Sequence, residues 1–370
     1  MPGKQNKKRH KPLFGERGFR LSLFLIISVA IISSVAIVIV IFAKQNVIAF
    51  SPPSSSSRTP GQKVCGDGSP YGTCSSEKPY YCNSGTLVPS PEVCGCPFNS
   101  TKEGNSCLSG FKTDPKNAAF SYTLLGKEGT INATLYGGLV NYLSSLPESI
   151  TYYNGEQPTR ADFTFLRINE PNQEAFMNSL VAGIQNAAPN NTVDQVRIAV
   201  SLVQNIPWGS SNQTVDFRNL SIDYARYPYQ VLYDNQGVCG EKSELLAYIL
   251  RNMGYGVALF YYPAENHEAV GIKCPVQYSL DGTGYCFVET SGPSIISEDN
   301  LIYADGVRLT STPQLIVISN GTSLPANLPE YSDAKTMESL MSQSWLSPLA
   351  KSNLLNLEKK YGINGIYQIN

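Results

Sequence analysis

NQGVCGEKSELLAYILRNMGY, residues 235–255, is the stretch on which the reading of this chain turns. Gly237 and Gly240 flank Cys239 at the head of an amphipathic run, Glu241 to Met253, that stops at Gly254. A helix N-terminus carries about half a positive charge and the unpaired N–H groups of its first turn. Both favour a thiolate, and the same N–H groups can hold an oxyanion on an attacked carbonyl. A free cysteine is also commonly a small buried hydrophobe, so its partners decide. The chain has two histidines, His10 near its start and His267 in ENHEAVGI, at the mouth of a strand-like run. Glu289 follows in CFVETSG, on the next such run. A thiol nucleophile needs a base or imidazolium partner. A carboxylate on the far ring nitrogen orients the imidazole and stabilises its charged form. Helix-tip cysteine, strand histidine and strand acid occur here in that order. With two histidines a His-rich metal centre is excluded, and no cofactor is indicated.

Outward from this stretch the hydrophobic period changes along the chain. FSYTLLGKEG and GTINATLYGG read as strands with a glycine-bounded turn, LVNYLSSLP as a short helix, and ADFTFLRI as a further strand. Asn172 to Ala187 and Asn191 to Gln204 have helical spacing, and Pro207 closes the second. Ser221 to Gln236 reads as a loop. VALFYYP, EAVGIKC, YCFVETS and PQLIVIS read as strands and Ser347 to Lys360 as a helix. Helices followed by strands indicate an α+β fold rather than a doubly wound sheet.

The stretch from about Ile198 to Pro293 resembles the transglutaminase-like superfamily, a circularly permuted papain-type cysteine fold. The resemblance is carried by RIAVSLVQNIPW, YPYQVLYDNQGVCGEKSELLAYILRNMGY, NHEAVGI and FVETSGPS. It is nearest to membrane-anchored archaeal proteins in which a small six-cysteine module precedes the domain, and FSYTLLGKEGTINATLYGGLVNYL resembles theirs too. The likeness implies Cys239 as nucleophile, His267 as base and Glu289 as orienting acid. It also places Gln204, in SLVQNIPW, where papain-type folds carry a side-chain oxyanion donor. Trp208 and Tyr227 are candidate cleft walls, and Glu241 reads as a favourable first-turn charge. Cross-linking transglutaminases usually carry Asp where Glu289 stands. Their calcium sites and extra β-domains have no counterpart here, so calcium-dependent cross-linking is not implied. The expected substrate is a peptide or protein amide, opened by water or transferred to an amine. The competing expectation is a catalytically silent peptide-binding or surface scaffold.

The cysteines divide as six, two and one. Cys65, Cys74, Cys82, Cys94, Cys96 and Cys107 crowd into a segment too short to bury a core, so cross-links among them are expected, in one of 15 connectivities. A zinc module is disfavoured, since the segment has one C-x-C and no histidine. Cys274 and Cys286 bracket an Asp281-Gly282 hairpin signal and are expected to pair, which leaves Cys239 single.

Leu21 to Ala43 is an uncharged 23-residue run without Pro or Gly. As a helix it reaches about 35 Å, against a hydrocarbon core of about 30 Å. Seven Lys/Arg and one Glu precede it, while residues 44–370 hold 21 basic against 28 acidic residues, a net of −7. That asymmetry predicts a cytoplasmic N-terminus and an exported remainder at the cell surface. N-x-Ser/Thr sequons at Asn99, Asn132, Asn190, Asn212, Asn219 and Asn320, and all nine cysteines, follow the run. The near-neutral whole, 28 basic against 29 acidic residues, excludes a global nucleic-acid-binding charge. The expected organisation is a basic tail (1–20), a membrane helix (21–43), a Ser/Pro-rich stalk (44–64), a disulfide module (65–107), a β-rich segment (108–170) and a transglutaminase-like domain (171–370).

Overall fold

Six cysteines dictate the structure of residues 65–107, where apolar side chains are sparse. The bonds are Cys65–Cys82, Cys74–Cys94 and Cys96–Cys107, all within the segment as the spacing predicts. They tie together two small hairpins, β1 (Tyr80–Asn83) with β2 (Thr86–Pro89) and β3 (Ser100–Glu103) with β4 (Ser106–Ser109). The structure is a computed structural model and describes residues 63–364 apart from 153, 154, 156, 218, 219, 304 and 305. The expected tail, membrane helix and nearly all of the stalk lie outside the described residues. Among the described residues, no helix is long and apolar enough to cross a membrane.

The mixed α+β body follows. Strands β5 (Pro115–Leu124) and β6 (Lys127–Tyr136) form a ten-pair hairpin. Leu125 and Gly126 connect them with φ of 50° and 82°, the positive pair that a two-residue I′ turn requires. Phe120, Ile131 and Leu135 turn inward and join the main apolar core. Helix α1 (Gly137–Ser144) comes next. Helix α2 (Arg160–Ile168) occupies the ADFTFLRI run, where a strand was expected. The correction has a physical cause: Asp162 Oδ2 accepts the N–H of Thr159, closing the helix start. The buried stripe is Thr164, Arg167 and Ile168, at helical spacing. Two of those residues are polar and are buried because they bond Glu244.

Helix α3 (Glu174–Ala187) buries Met177, Leu180, Val181 and Ile184, one face at i, i+3, i+4 and i+7. Helix α4 (Thr192–Gln204) is capped by Asn191, whose side-chain oxygen accepts the N–H groups of Val193 and Asp194, both at 3.1 Å. The 221–236 segment is not a loop throughout. Strands β7 (Thr214–Phe217) and β8 (Leu220–Asp223) pair, and Pro228 opens helix α5 (Pro228–Asp234) from the first-turn position that suits its missing N–H.

Helix α6 (Cys239–Asn252) is the centre of the body: every residue from Cys239 to Leu250 is buried. It packs on an antiparallel sheet in the order β11 (Tyr285–Val288), β10 (His267–Lys273), β9 (Val257–Tyr262), β12 (Gln314–Ser319). Leu259, Val270, Ile272, Val288 and Ile316 turn toward the helices. Ala258, Phe260, Ala269 and Phe287 turn the other way, under Leu301 and Tyr303. Each such fully buried aliphatic or aromatic side chain contributes about 1.5–3 kcal/mol. Cys274 and Cys286 are bonded across the β10–β11 ladder, as expected from their spacing. Helices α7 (Glu330–Met341) and α8 (Pro348–Tyr361) close the body, the second with Ser347 as its N-cap.

Candidate active site

Strand register brings the histidine and the acid together. Val270 pairs with Val288, so Glu289, one residue past β11, stands opposite Ala269. His267, two residues before Ala269, is then its diagonal neighbour on the same face. His267 Nε2 lies 2.8 Å from Glu289 Oε2, and both side chains are wholly buried. Glu289 Oε1 accepts the N–H groups of Thr290 at 2.8 Å and Ser291 at 2.6 Å. Tyr303 donates its hydroxyl to Glu289 Oε2 and sits 3.4 Å from His267 Nε2. Burial opposes charge on both groups, but their mutual attraction and these hydrogen bonds win. Glu289 is held down to about 2. Burial likewise works against the imidazolium, yet the Glu289 charge and hydrogen bond, with the Cys239 sulfur nearby, lift His267 to about 10. Both shifts favour the imidazolium–carboxylate form of the pair.

Cys239 is the one free cysteine among the described residues and is buried at the first position of α6. Its helix is bolted to the strands by the next turn. Ser243, four residues on and on the same face, donates to the Glu268 carbonyl at 3.0 Å and lies 2.9 Å from Thr290 Oγ1. Lys242 Nζ donates to the carbonyls of Gln204 at 3.2 Å, Ile206 at 2.6 Å and Ser291 at 3.3 Å. The Thr290 hydroxyl donates to the Cys239 carbonyl at 3.3 Å. The helix tip is thus fixed against both the start of β10, at Glu268, and the chain just after β11, at Thr290 and Ser291. His267 Nδ1 is buried and bonds no oxygen or nitrogen. The Cys239 sulfur is near enough to raise the affinity of the ring for its proton. Cys239, His267 and Glu289 therefore come together in space.

Gln204 does not join them. It is buried, but its amide N–H groups bond the Glu289 carbonyl at 2.9 Å and the Ser294 side chain and carbonyl at 3.2 and 3.3 Å. Those donors brace the Glu289 loop from behind, so the expected oxyanion role does not fit the place the structure gives it. Trp208 and Tyr227 do not line the cavity beside Cys239 either; Tyr227 belongs to the main core. Glu241 is more than a first-turn charge. It accepts the N–H groups of Val238 at 3.0 Å and Arg226 at 2.8 Å and pairs with the Arg226 guanidinium at 2.9 Å.

The cavity holds about 210 Å3 and is bordered by Cys239, His267, Tyr261 and several charged side chains. Lys242, Tyr303 and Arg160 were not foreseen as site residues. Lys242 carried a signal, its position three residues after Cys239, but a helical lysine ordinarily reads as solvated. Here burial lowers it to about 8, while the charges of Glu289 and Cys239 partly hold it up. Among the described residues, no group of three His, Cys, Asp or Glu side chains is placed to hold a metal ion.

No protein-family model matches the chain, and no curated protein matches it. Among solved structures, it is similar to a chain from Parabacteroides distasonis described as a "putative protease". The identity is 13% and the TM-score 0.27, over 57% of this chain and 42% of that one. The match spans less than half of that chain, and at this level it carries no argument on activity.

Proposed function

We propose that this chain is a thiol-dependent acyl-transfer enzyme of transglutaminase-like type, acting on peptide or protein amides at the cell surface. The observation that carries the reading is the juxtaposition of a lone helix-tip thiol with a buried imidazole whose far nitrogen is held by a carboxylate. In the reaction, Cys239 Sγ, as thiolate beside the His267 imidazolium, attacks an amide carbonyl. The N–H groups of the first turn of α6 face the oxyanion that forms. When the C–N bond breaks, the imidazolium gives its proton to the leaving amine and a thioester remains on Cys239. Water, deprotonated by the now neutral imidazole, releases a carboxylic acid and restores the thiol. An amine in place of that water gives transamidation. Glu289 fixes the ring and favours its charged form, and Tyr303 and the Thr290 and Ser291 N–H groups fix Glu289.

Four disulfides support an oxidising compartment. With the uncharged run 21–43, they support a single-pass protein whose body stands outside the cell, anchored by that run. The test is mass spectrometry of the protein after incubation with a peptide mixture, in wild type and Cys239→Ser. Hydrolysed or cross-linked peptides with the wild type alone are expected. No product from either protein would leave the silent scaffold as the better account.

A further inference from the structure

Three carboxylates border the cavity beside Cys239: Glu241, Glu244 and Glu268. Each is neutralised by its own arginine. In two of these pairs both partners are shut away: Arg226 with Glu241, side chains 5% and 6% exposed, and Arg167 with Glu244, 7% and 1%. The third pair is open on one side. Glu268 is 2% exposed, but the Arg160 side chain is 31% exposed. The acids of the cavity are therefore covered, and the charge it shows to an entering molecule is a cation.

The Arg160 guanidinium is held in place and only partly used. Its Nε and Nη2 grip Glu268 at 2.9 and 3.2 Å, and Nη2 lies 3.7 Å from Glu244. Its Nη1 makes no hydrogen bond among the described residues. The plane passes close to the nucleophile: a Cβ on Gly240, next to Cys239, would stand 2.8 Å from Arg160 Nη2. Glycine at 240 is what lets the guanidinium lie against the first turn of α6. The Tyr261 ring, 5.6 Å from Arg160 Cζ, flanks it on the cavity side. A planar cation held on one edge, with N–H groups free on another, matches a carboxylate better than any other group a peptide carries.

We propose that Arg160 is the specificity-determining residue of this site and that the substrate is a peptide bearing a carboxylate, acidic side chain or free C-terminus, beside the bond that is opened. This rests on Cys239 being the nucleophile as stated above, and it names what the cleft selects.

Two alkylating probes of nearly equal size separate the claims: iodoacetate, an anion, and iodoacetamide, its neutral analogue. Cys239 is expected to favour iodoacetate over iodoacetamide, relative to the same two rates on glutathione. In R160Q/E268Q, which removes both members of the pair and leaves no buried carboxylate unpaired, that preference should fall about tenfold, the scale of a charge-assisted hydrogen bond. R160K keeps the charge and should retain part of it. Because each variant supplies its own ratio, a general change in thiol reactivity cancels. An unchanged ratio in both variants overturns the proposal. Failure of iodoacetamide to label wild-type Cys239 at all overturns the reading of the nucleophile, and this inference with it. Peptide pairs that differ as Glu against Gln, or as free against amidated C-terminus, then identify the carboxylate: the pair whose preference collapses in R160Q/E268Q carries it. Equal turnover within both pairs counts against Arg160.

Discussion

In residues 65–107 all six cysteines are bonded, and large apolar side chains stand in water: Phe98 is 80% exposed and Val93 64%. In the body that follows, α6 is buried from Cys239 to Leu250 and both faces of the central strands β9 and β10 are covered. There the one disulfide, Cys274–Cys286, staples a ladder that burial already supports, and Cys239 stays single. The first region uses cysteine in place of a core; the second has a core and leaves one cysteine for chemistry. The difference teaches that a cysteine is best judged by what else could hold its surroundings together.

The strongest test of that division sets two substitutions side by side. Cys239→Ser should abolish turnover of peptide amides, by at least about a thousandfold, because the hydroxyl is a far weaker nucleophile beside the same imidazole. Its unfolding free energy should move by less than about 1 kcal/mol, checked by chemical denaturation, since the change is nearly isosteric. Cys82→Ala should do the reverse. It frees a native cross-link of a small segment, at a cost of about 2–5 kcal/mol to that segment. Limited proteolysis should then cut within 65–107 while turnover persists. Loss of turnover in Cys82→Ala would erase the division.

A second effect, of a few kcal/mol, lies in the pH dependence of stability. His267 is held at about 10 against an ordinary 6.5, so the stability its proton brings is complete below 6.5 and is lost as pH rises toward 10. Glu289 is held at about 2 against 4.5, so its contribution is complete above 4.5 and is lost as pH falls toward 2. The pair therefore stabilises the body most between 4.5 and 6.5. Lys242, lowered to about 8 from 10.5, acts in the opposite sense: its burial costs stability below 8, and that cost fades toward 10.5. Denaturation midpoints measured across pH in wild type and Glu289→Gln should show the variant flatter between 2 and 4.5 and between 6.5 and 10. The smallest effect is expected at the module surface. Lys102 and Glu92 form an ion pair with side chains 42% and 71% exposed. Lys102→Ala should cost less than about 1 kcal/mol and vanish in high salt, by the same denaturation assay.

The long periodic helices, the β5–β6 hairpin and the strands of the sheet were legible because each buries an apolar face at its own period. So were the disulfides inside 65–107 and between Cys274 and Cys286, because the cysteines are segregated along the chain. Helix α2 was misread because Ala161, Phe163 and Phe165 alternate like a strand, while its buried stripe includes Thr164 and Arg167. Their burial makes sense only once Glu244 is seen beside them. Helix α5 hid behind tyrosines that look like loop residues. At the site, cysteine, histidine and acid could be picked out by type and order. Gln204 could not be placed, since whether an amide faces a cleft or braces a loop depends on carbonyls 85 and 90 residues away. Lys242 and Arg160 were invisible for a related reason: only the assembled fold shows one buried among carbonyls and the other half open on a cavity.

The central claim is that Cys239 and the His267 imidazolium act as a pair, and one measurement addresses it most directly. Iodoacetamide labelling of Cys239 is followed from pH 5 to 9 in wild type and His267→Ala, with the labelled peptide quantified by mass spectrometry. A lone thiol slows about tenfold for each pH unit below ~8.5. The account predicts that wild-type labelling at pH 6 stays within about tenfold of its rate at pH 8.5, and that His267→Ala slows it at pH 6 by at least about tenfold. Wild-type labelling that falls away like a lone thiol, with His267→Ala leaving it unmoved, would contradict the pairing.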